Sequence, residues 1–364
     1  MKKSLIAACA ALVCASGAYA QSSVTLTGLV DMYAASQKQP GTDGRVNQLG
    51  SGGMTTSWFG MTGTEDLGGG LKANFKLTSF QRLDTGTPGR FGGDNFFTRD
   101  ANVGLSGGFG AVTLGRGLAP NFLPTILFNP FGDSFQFAPL VLQKNVGLFN
   151  PGAGYASSTP SDTGWSNEII YTTPTFGGLT VNVHYQFGEQ NSSTNNDNKK
   201  NLGINAIYFN GPFALTGYYE HDQVNNYNGN TGANAPMTLI TAAIGGANVP
   251  TTRKDWMLGG SYDAGIVKGF LTYGQTKTDI TDVKYSTTQV GASAPIGAGK
   301  LLASVARTSI DNAPTFVNKR LTATIGYDYF LSKRTDVYAN LMYDRLTSEL
   351  SKGNTVAVGI RHRF

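Results

Sequence analysis

Apolar and polar residues alternate along most of this chain with a period of two. Between residues 71 and 78, one side carries Leu71, Ala73, Phe75 and Leu77, and the other carries Lys72, Asn74, Lys76 and Thr78. The same rhythm recurs near residues 179–187, 321–330 and 335–344. Because successive side chains of a β-strand point to opposite faces, this period indicates strands with one apolar and one polar face.

The connections between these segments alternate in length. Short glycine-rich turns, such as EDLGGGL, SGGFGA and FNGPF, alternate with longer polar loops such as EQNSSTNNDNKKN. About sixteen strands are predicted, near residues 23–36, 56–66, 71–82, 97–106, 111–118, 165–174, 179–188, 200–209, 213–223, 253–264, 267–278, 284–295, 300–310, 319–330, 335–346 and 355–364. An even strand number with short turns and long loops is typical of outer-membrane barrels, and sixteen strands leave an aqueous channel. We predict an all-β fold, a 16-stranded antiparallel transmembrane β-barrel.

The composition suits such a barrel. Only 14% of the residues are charged, whereas the chain has 48 Gly, 16 Tyr and 21 Phe. Aromatic residues near predicted strand ends suggest girdles at the two membrane interfaces: Tyr171, Phe187, Tyr208, Tyr218, Tyr219, Tyr262, Tyr327, Tyr329 and Phe330. The formal net charge is only +5, so no nucleic-acid partner is predicted.

The first twenty residues have the pattern of a secretory signal peptide. Lys2 and Lys3 precede an apolar run, and Ala18-Tyr19-Ala20 provides small residues for cleavage after Ala20. We predict a signal peptide over residues 1–20 and one barrel domain over residues 21–364. Cys9 and Cys14 both lie in the predicted signal, so no disulfide, cysteine metal site or cofactor is predicted for the mature chain.

The chain ends in an alternating strand. Val356, Val358, Ile360, His362 and Phe364 share one face, and Ala357, Gly359, Arg361 and Arg363 share the other. An unpaired strand edge in lipid would leave backbone groups unsatisfied, so the last strand is expected to pair with the first. Phe364 is then expected to face lipid, and Arg361 and Arg363 a wet interior.

One connection, from Ala119 to about residue 163, is long and rich in phenylalanine. Long loops without secondary structure are usually functional. An apolar loop in water would be unfavourable, so we expect this third loop to fold into the barrel and narrow the channel. Asp133, in the turn-forming stretch NPFGD, either points towards the pore axis or only caps its turn.

Basic residues are candidates for the opposite wall of this constriction. Alternation places Lys72, Lys76 and Arg82 on the inner face. It does not settle the direction of Arg99 and Arg116, because a bulge can reverse the face. A charge on the lipid face near the membrane midplane costs roughly 2–4 kcal/mol, which favours the interior for both.

Several stretches resemble a known family. SVTLTGLVDMYA at 23–34, GMTGTEDLGGGLKANFKL at 60–77, VGLSGGFGAVTLGR at 103–116, YTTPTFGGL at 171–179 and the terminal Phe364 are similar to the trimeric general diffusion porins of Gram-negative outer membranes. The resemblance implies a homotrimer, outer-membrane lipid and lipopolysaccharide around it, and passive diffusion of ions and small hydrophilic solutes. It also implies that the barrel-assembly machinery recognises Phe364.

The resemblance further implies that Arg99 and Arg116 match wall arginines of the constriction and that Asp133 matches the loop acid. Two positions depart from the family pattern. Trp58 replaces an arginine that commonly precedes Phe-Gly, and Gly164 with Trp165 replaces an arginine that often opens the sixth strand. The wall is therefore expected to be less basic and more aromatic than usual.

Three other functions are weighed against a general diffusion channel. The first is a solute-selective channel for sugars or for aromatic or organic acids, since tryptophan stacks on rings. The second is a barrel enzyme, such as a phospholipase or protease, but no recognisable catalytic motif accompanies His184, His221 or His362. The third, a secreted sandwich or lectin, does not fit the strand number. The sequence therefore favours a channel over both the enzyme and the secreted protein.

Overall fold

The computed structural model describes residues 23–40, 43–90, 94–145, 163–187, 200–224, 251–279, 282–312, 319–346 and 352–364. The predicted signal peptide, residues 1–20, lies outside these ranges. No helix within the described ranges is long and apolar enough to cross a membrane.

Sixteen long antiparallel strands form the wall of the described structure. They are β1 Ser23–Lys38, β2 Trp58–Gly68, β3 Leu71–Arg82, β4 Asp100–Gly107, β5 Gly110–Leu118, β6 Gly164–Thr172, β7 Leu179–Gln186, β8 Asn201–Asn210, β9 Phe213–Val224, β10 Thr251–Asp263, β11 Lys268–Thr278, β12 Lys284–Ile296, β13 Gly299–Asp311, β14 Lys319–Phe330, β15 Thr335–Leu346 and β16 Gly353–Arg363. Each pairs with the next along the chain. The predicted strand number and the antiparallel barrel are confirmed.

The sheet closes between the first and last strands, as the C-terminal alternation predicts. β1 and β16 pair from Leu29↔Arg363 to Lys38↔Asn354. Gly28 and Phe364 extend the seam by exchanging both backbone hydrogen bonds, at 3.1 and 3.0 Å. With β1 paired to β16, neither end strand of the described wall presents a free edge to lipid.

Alternation separates two surfaces along many of the wall strands. On β16, Val356, Val358 and Ile360 are exposed, whereas Ala357 and Arg361 are buried. The exposed face is therefore the apolar one, which is expected for an outer surface in lipid. The prediction of a girdle position for Tyr218 is wrong. Tyr218 has the same parity as Thr216 and Glu220, meaning that it lies an even number of residues from them in β9, and all three side chains are buried on the inner face.

In the part of the chain that the structure describes, four short elements lie outside the sixteen wall strands. Two are strands, Val46–Ser51 and Thr87–Pro88, which extend the sheet beside β1 and β3. The other two are helices in the connection after β5, α1 Phe122–Leu127 and α2 Pro139–Lys144. Pro139 opens α2 at a position where its missing N–H costs no helical hydrogen bond.

Candidate functional site

The connection after β5, here called the inner segment (residues 119–145), lies against the inner face of the wall. Its Phe131, Phe137 and Val141 form one buried cluster with wall residues of β1, β13, β15 and β16. The wall members of this cluster are Tyr33, Ala35, Leu302, Tyr338, Met342 and Ala357. Tyr33 and Phe137 meet edge to face, with ring centroids 5.7 Å apart. Phe131 and Phe137, two of the phenylalanines that make this connection apolar, are thus covered by the wall.

Glycines on the inner face let the wall approach this segment closely. A β-carbon at Gly203 would lie 2.2 Å from Cγ of Pro120, and one at Gly291 would lie 2.7 Å from Cδ of Pro130. Neither distance is possible without movement, so a larger residue at either position would displace the inner segment.

Charged side chains hold the C-terminal end of the inner segment. Lys144 is 1% exposed, and its ammonium group donates to the Asp255 carboxylate of β10 at 2.5 Å. The Arg320 guanidinium of β14 donates to the Leu142 carbonyl at 3.0 Å and forms an ion pair with Asp344 at 2.8 Å. Buried charges require such partners, so this end has a defined position.

The N-terminal end of the segment is held on β8 and β9. The backbone N–H of Asn121 donates to the Glu220 carboxylate at 2.7 Å, and the Asn205 amide donates to the Pro120 carbonyl at 3.0 Å. The middle of the segment reaches β1, β15 and β16 through the phenylalanine cluster. The inner segment therefore crosses the interior between distant strands.

A second feature enters the interior from β1, here called the inner bulge (residues 52–57). β1 pairs with the short strand at Met32↔Ser51 and with β2 at Leu29↔Trp58, so the bulge leaves the wall opposite Asp31. The Asp31 carboxylate accepts the N–H groups of Gly53, Met54 and Thr55 at 3.1, 2.7 and 2.9 Å. Charge-assisted hydrogen bonds of this kind are the strong ones, so Asp31 fixes the shape of the bulge.

The inner bulge and the inner segment meet at Thr55. The Thr55 hydroxyl donates to Oδ1 of Asp133 at 2.8 Å and accepts a hydrogen bond from Arg361 at 2.9 Å. Ser134 adds a second link by donating to the Gly53 carbonyl at 2.6 Å. Arg361 also pairs with Asp336 on the adjacent strand β15 and with Asp328 on β14, one strand further along the wall.

The surroundings of Asp133 change its proton affinity. Its side chain keeps some exposed surface but lies deep inside the barrel. Removal from bulk water raises the pKa of Asp133 above its ordinary 3.8, and the Thr55 hydroxyl and the charges of Arg361 and Arg99 oppose this rise. The carboxylate therefore becomes neutral at a higher pH than an exposed aspartate.

Arg99 and Trp58 lie together on the wall. The Arg99 guanidinium carbon is 3.9 Å from the centroid of the Trp58 ring, a cation–π contact. Arg99 also donates to the Asp100 carboxylate at 2.7 Å, and the Thr78 hydroxyl donates to the same oxygen at 2.6 Å. Two residues proposed from the sequence are thus direct neighbours.

Comparison with known proteins finds a family with this architecture. A model described as Gram-negative porin matches residues 6–348. Outer membrane porin protein 32 of Delftia acidovorans is 34% identical, with all of both chains aligned. Major outer membrane protein P.IB of Neisseria meningitidis serogroup B is 26% identical, again over all of both chains. A solved structure titled as an anion-selective porin from Comamonas acidovorans is 29% identical, with a TM-score of 0.74, and covers 94% of this chain and 100% of that one.

The chain belongs to the Gram-negative porin family. It is an outer-membrane channel for the passive diffusion of ions and small hydrophilic solutes. The family and its relatives point to a channel rather than an enzyme. Within the part of the chain that the structure describes, no group of three or more His, Cys, Asp or Glu residues could hold a metal ion.

Other residues proposed from the sequence lie apart from the meeting point at Thr55. Arg116 is 7% exposed and donates to the Thr98 and Gly164 carbonyls and the Ser166 hydroxyl. It lies where the register of β5 and β6 shifts, between Gly115 and Gly117. The bulge that made its direction uncertain is therefore present, and the guanidinium is enclosed among backbone groups.

The two lysines of β3 are exposed on the inner face. They share the parity of Thr78, and Lys72 pairs in register with Asp66 and Lys76 with Thr62. Arg82 ends β3 on the same face, beside the short strand Thr87–Pro88. At the seam, Phe364 is exposed on the outer face, where its ring occupies the space left by Gly28.

Trp165, a second departure from the family pattern, is buried. Its ring meets His184 edge to face, at 6.1 Å between centroids, and it lies beside Gly203. His184 Nδ1 is in turn 3.3 Å from Glu168 Oε2. Trp165 thus packs within the wall near the start of the inner segment.

Sequence reasoning missed Asp31, Thr55 and Tyr338, which organise the inner bulge. Asp31 and Tyr338 have the inner parity of their strands, and the Tyr338 hydroxyl donates to Asp31 at 2.5 Å. Parity was thus a usable signal for both residues. It offers no signal for Thr55, because the bulge interrupts the two-residue period.

Proposed function

We propose that the porin's channel is narrowest where the inner bulge and the inner segment meet. Solutes would pass between Asp133 on the segment and the wall that carries Arg99 and Trp58. The observation that carries this proposal is the Thr55 hydroxyl, which hydrogen-bonds Asp133 of the segment and Arg361 of the wall. Charges facing each other across a constriction set ion preference.

Small anions are proposed to pass more readily than cations. The wall acids near the site, Asp100, Asp328 and Asp336, are each paired with an arginine. Lys72 and Lys76, by contrast, are exposed on the inner face of β3. The solved relative from Comamonas acidovorans, titled anion-selective, supports the same sign.

A solute-selective channel is the second candidate, and the contact between Arg99 and Trp58 favours it. A guanidinium beside an indole suits an aromatic or organic acid, since one group attracts the carboxylate and the other packs on the ring. Arg116, Lys72, Lys76 and Arg82 are proposed to contribute positive potential along the path rather than to touch the solute at the narrowest point.

The sequence also supports proposals about export and assembly. The porin is proposed to be exported by a cleaved signal peptide over residues 1–20, leaving a single barrel domain over residues 21–364. It is proposed to work as a homotrimer surrounded by outer-membrane lipid and lipopolysaccharide. Recognition of Phe364 by the barrel-assembly machinery is supported by its exposure at the seam.

Replacing Asp133 by Asn tests the constriction. Loss of one negative charge at the narrowest point should raise the anion-to-cation permeability ratio roughly 2- to 5-fold, the scale of about 1 kcal/mol between close charges in water. The reversal potential in a KCl gradient measures this ratio. Asp43→Asn is the matched control, because Asp43 is an exposed carboxylate outside the inner bulge and inner segment.

The same experiment has a pH arm. Because burial raises the pKa of Asp133, its carboxylate becomes protonated, as the pH falls, over a range above that of an exposed aspartate. The wild-type porin should therefore become more anion-selective on acidification over that range, and Asp133→Asn should lack this component. An unchanged reversal potential in Asp133→Asn at neutral pH would place Asp133 outside the narrowest point.

A further inference from the structure

Three basic residues form a row on the outer face of the barrel, here called the basic row (Arg307, Lys319 and Arg345). Arg307 of β13 pairs in register with Leu321 of β14, and Leu321 pairs with Arg345 of β15. Neighbouring strands are about 4.8 Å apart, so the two arginines start about 10 Å from each other. Lys319 lies two residues from Leu321 on the same face, and all three basic side chains are exposed.

The basic row borders a concave site. A cavity of about 360 Å³ is lined by Arg307, Lys319, Arg320, Leu321, Arg345 and Leu346. Arg320 contributes to its floor, since its side chain points inward to Asp344. The cavity therefore combines three outward-facing positive charges with a leucine between them.

The position of this site along the strands matches a membrane boundary. Arg345 lies ten residues from the start of β15 at Thr335, and a strand tilted by about 40° rises about 25 Å over that length. This is the height of the apolar band of outer-membrane barrels. Between the basic row and the opposite ends of these strands, the outer face of β13, β14 and β15 carries uncharged residues. They are Leu301, Ala303 and Val305 on β13, Ala323, Ile325 and Tyr327 on β14, and Val337, Ala339, Leu341 and Tyr343 on β15.

Neighbouring strands show what distinguishes the basic row. Lys254, Lys277 and Lys284 lie side by side on the outer face of β10 to β12. These lysines pair with Asp279, Asp282 and Asp311 at 3.7, 2.6 and 2.9 Å, respectively. Within the described ranges, neither Arg307 nor Arg345 has a carboxylate within 4.0 Å. Among the residues that the structure describes, the wall therefore places a carboxylate beside each of Lys254, Lys277 and Lys284 but none beside the two arginines.

We propose that the basic row binds the phosphate groups of an anionic lipid in the outer leaflet. Arginine matches phosphate geometry with paired N–H donors, and the exposed apolar strip below the row suits the lipid's acyl chains. At the opposite end of these strands, the connections from β12 to β13 and from β14 to β15 have only two and four residues. Short connections mark the periplasmic end in barrels of this kind, so the basic row lies towards the extracellular end. The inference rests on the proposed function only in assuming that the porin lies in the outer membrane with this end of its strands outside the cell.

The test compares two triple variants of the purified full-length porin in detergent. The first is Arg307→Gln, Lys319→Gln and Arg345→Gln. The matched control is Lys254→Gln, Lys277→Gln and Lys284→Gln, which removes the same charge from lysines that already have acid partners. The probe is lipid A carrying both phosphates, compared with lipid A from which the phosphates have been removed, and binding is followed by native mass spectrometry.

The first variant should bind the phosphorylated lipid on the order of 100-fold more weakly than wild type, from about fivefold per basic residue near a membrane surface. The control should stay within about tenfold of wild type, and the phosphate-free lipid should bind all three proteins alike. Equal losses in both triple variants, or no loss in the first, would overturn the proposal. Displacement of the lipid by millimolar inorganic phosphate would identify a site for free phosphate instead and also overturn it.

Two further measurements keep these outcomes interpretable. Single variants Arg307→Gln and Arg345→Gln should each weaken binding about fivefold, which preserves the test if the triple variant does not fold. Channel conductance should be unchanged in all variants, because the basic row lies on the outer face. A porin that conducts but ignores phosphorylated lipid would thus contradict this inference while leaving the proposed function intact.

Discussion

At the scale of single residues, Trp58 decides how basic the narrow part of the channel is. Its ring covers the Arg99 guanidinium at 3.9 Å, so an arginine in its place would add a second positive charge beside the first. Trp58→Arg should therefore lower cation permeability, by roughly 2- to 5-fold relative to chloride. The reversal potential in a salt gradient measures the change. If Trp58→Arg and the conservative Trp58→Phe have the same reversal potential, position 58 does not face the solute path.

Asp31 is the residue on which the inner bulge depends. Its carboxylate accepts three backbone N–H groups and the Tyr338 hydroxyl, so Asp31→Ala leaves several buried donors without an acceptor. Each unsatisfied buried group costs about 1–3 kcal/mol, and we expect the free energy of unfolding to fall by at least about 3 kcal/mol. Urea unfolding in detergent measures this loss.

The matched control for Asp31 is Asp43→Ala, which removes an exposed carboxylate. It should change the free energy of unfolding by less than about 0.5 kcal/mol. Equal effects of the two substitutions would show that Asp31 does not organise the bulge.

At the scale of elements, the inner segment is held at its end by a buried ion pair. Breaking one partner of such a pair typically costs about 3–5 kcal/mol, because the other charge stays buried alone. Lys144→Met should therefore destabilise the porin and free the end of the segment, which would appear as larger current fluctuations in single-channel recordings. The double variant Lys144→Met with Asp255→Asn should recover most of the stability and the quiet current.

An exposed pair provides the comparison for Lys144. Lys254 and Asp279 are 3.7 Å apart on the outer face, and exposed pairs contribute at most about 1 kcal/mol. Lys254→Met should therefore leave both stability and current noise unchanged. Noise that rises equally in Lys144→Met and Lys254→Met would contradict a specific role for the buried pair.

The wall elements could be predicted from the sequence because their signal is local. Many strands alternate over much of their length, as residues 71–78 do, and membrane burial enforces the pattern on both faces. The inner bulge could not be predicted in this way. Residues 52–57 form no periodic pattern, and their shape depends on Asp31 and Tyr338, which lie on strands that the sequence separates by about 300 residues.

The candidate site was predictable to a similar, partial extent. Parity identified the inner face, and the family resemblance pointed to Arg99, Arg116 and Asp133. Parity gave no warning that Arg116 would be enclosed by the carbonyls of Thr98 and Gly164, because that outcome depends on a shift of register between two strands. The helices α1 and α2 were missed as well, since each is only six residues long.

At the scale of the whole molecule, closure at the seam makes an interior possible. The pairing of β1 with β16 and the exchange between Gly28 and Phe364 join the chain's two ends into one continuous wall. That wall places apolar residues outside and polar residues inside, and the inner segment crosses the resulting space. An open, water-filled path past this segment is the central physical requirement of the account.

Current through single molecules in a planar lipid bilayer tests that requirement most directly. The account predicts discrete conductance steps on addition of the purified porin, grouped in threes if the trimer proposal is correct, with an anion-favouring reversal potential in a KCl gradient. Protein that inserts in folded form, shown by its heat-dependent electrophoretic mobility, yet passes no current would contradict the account.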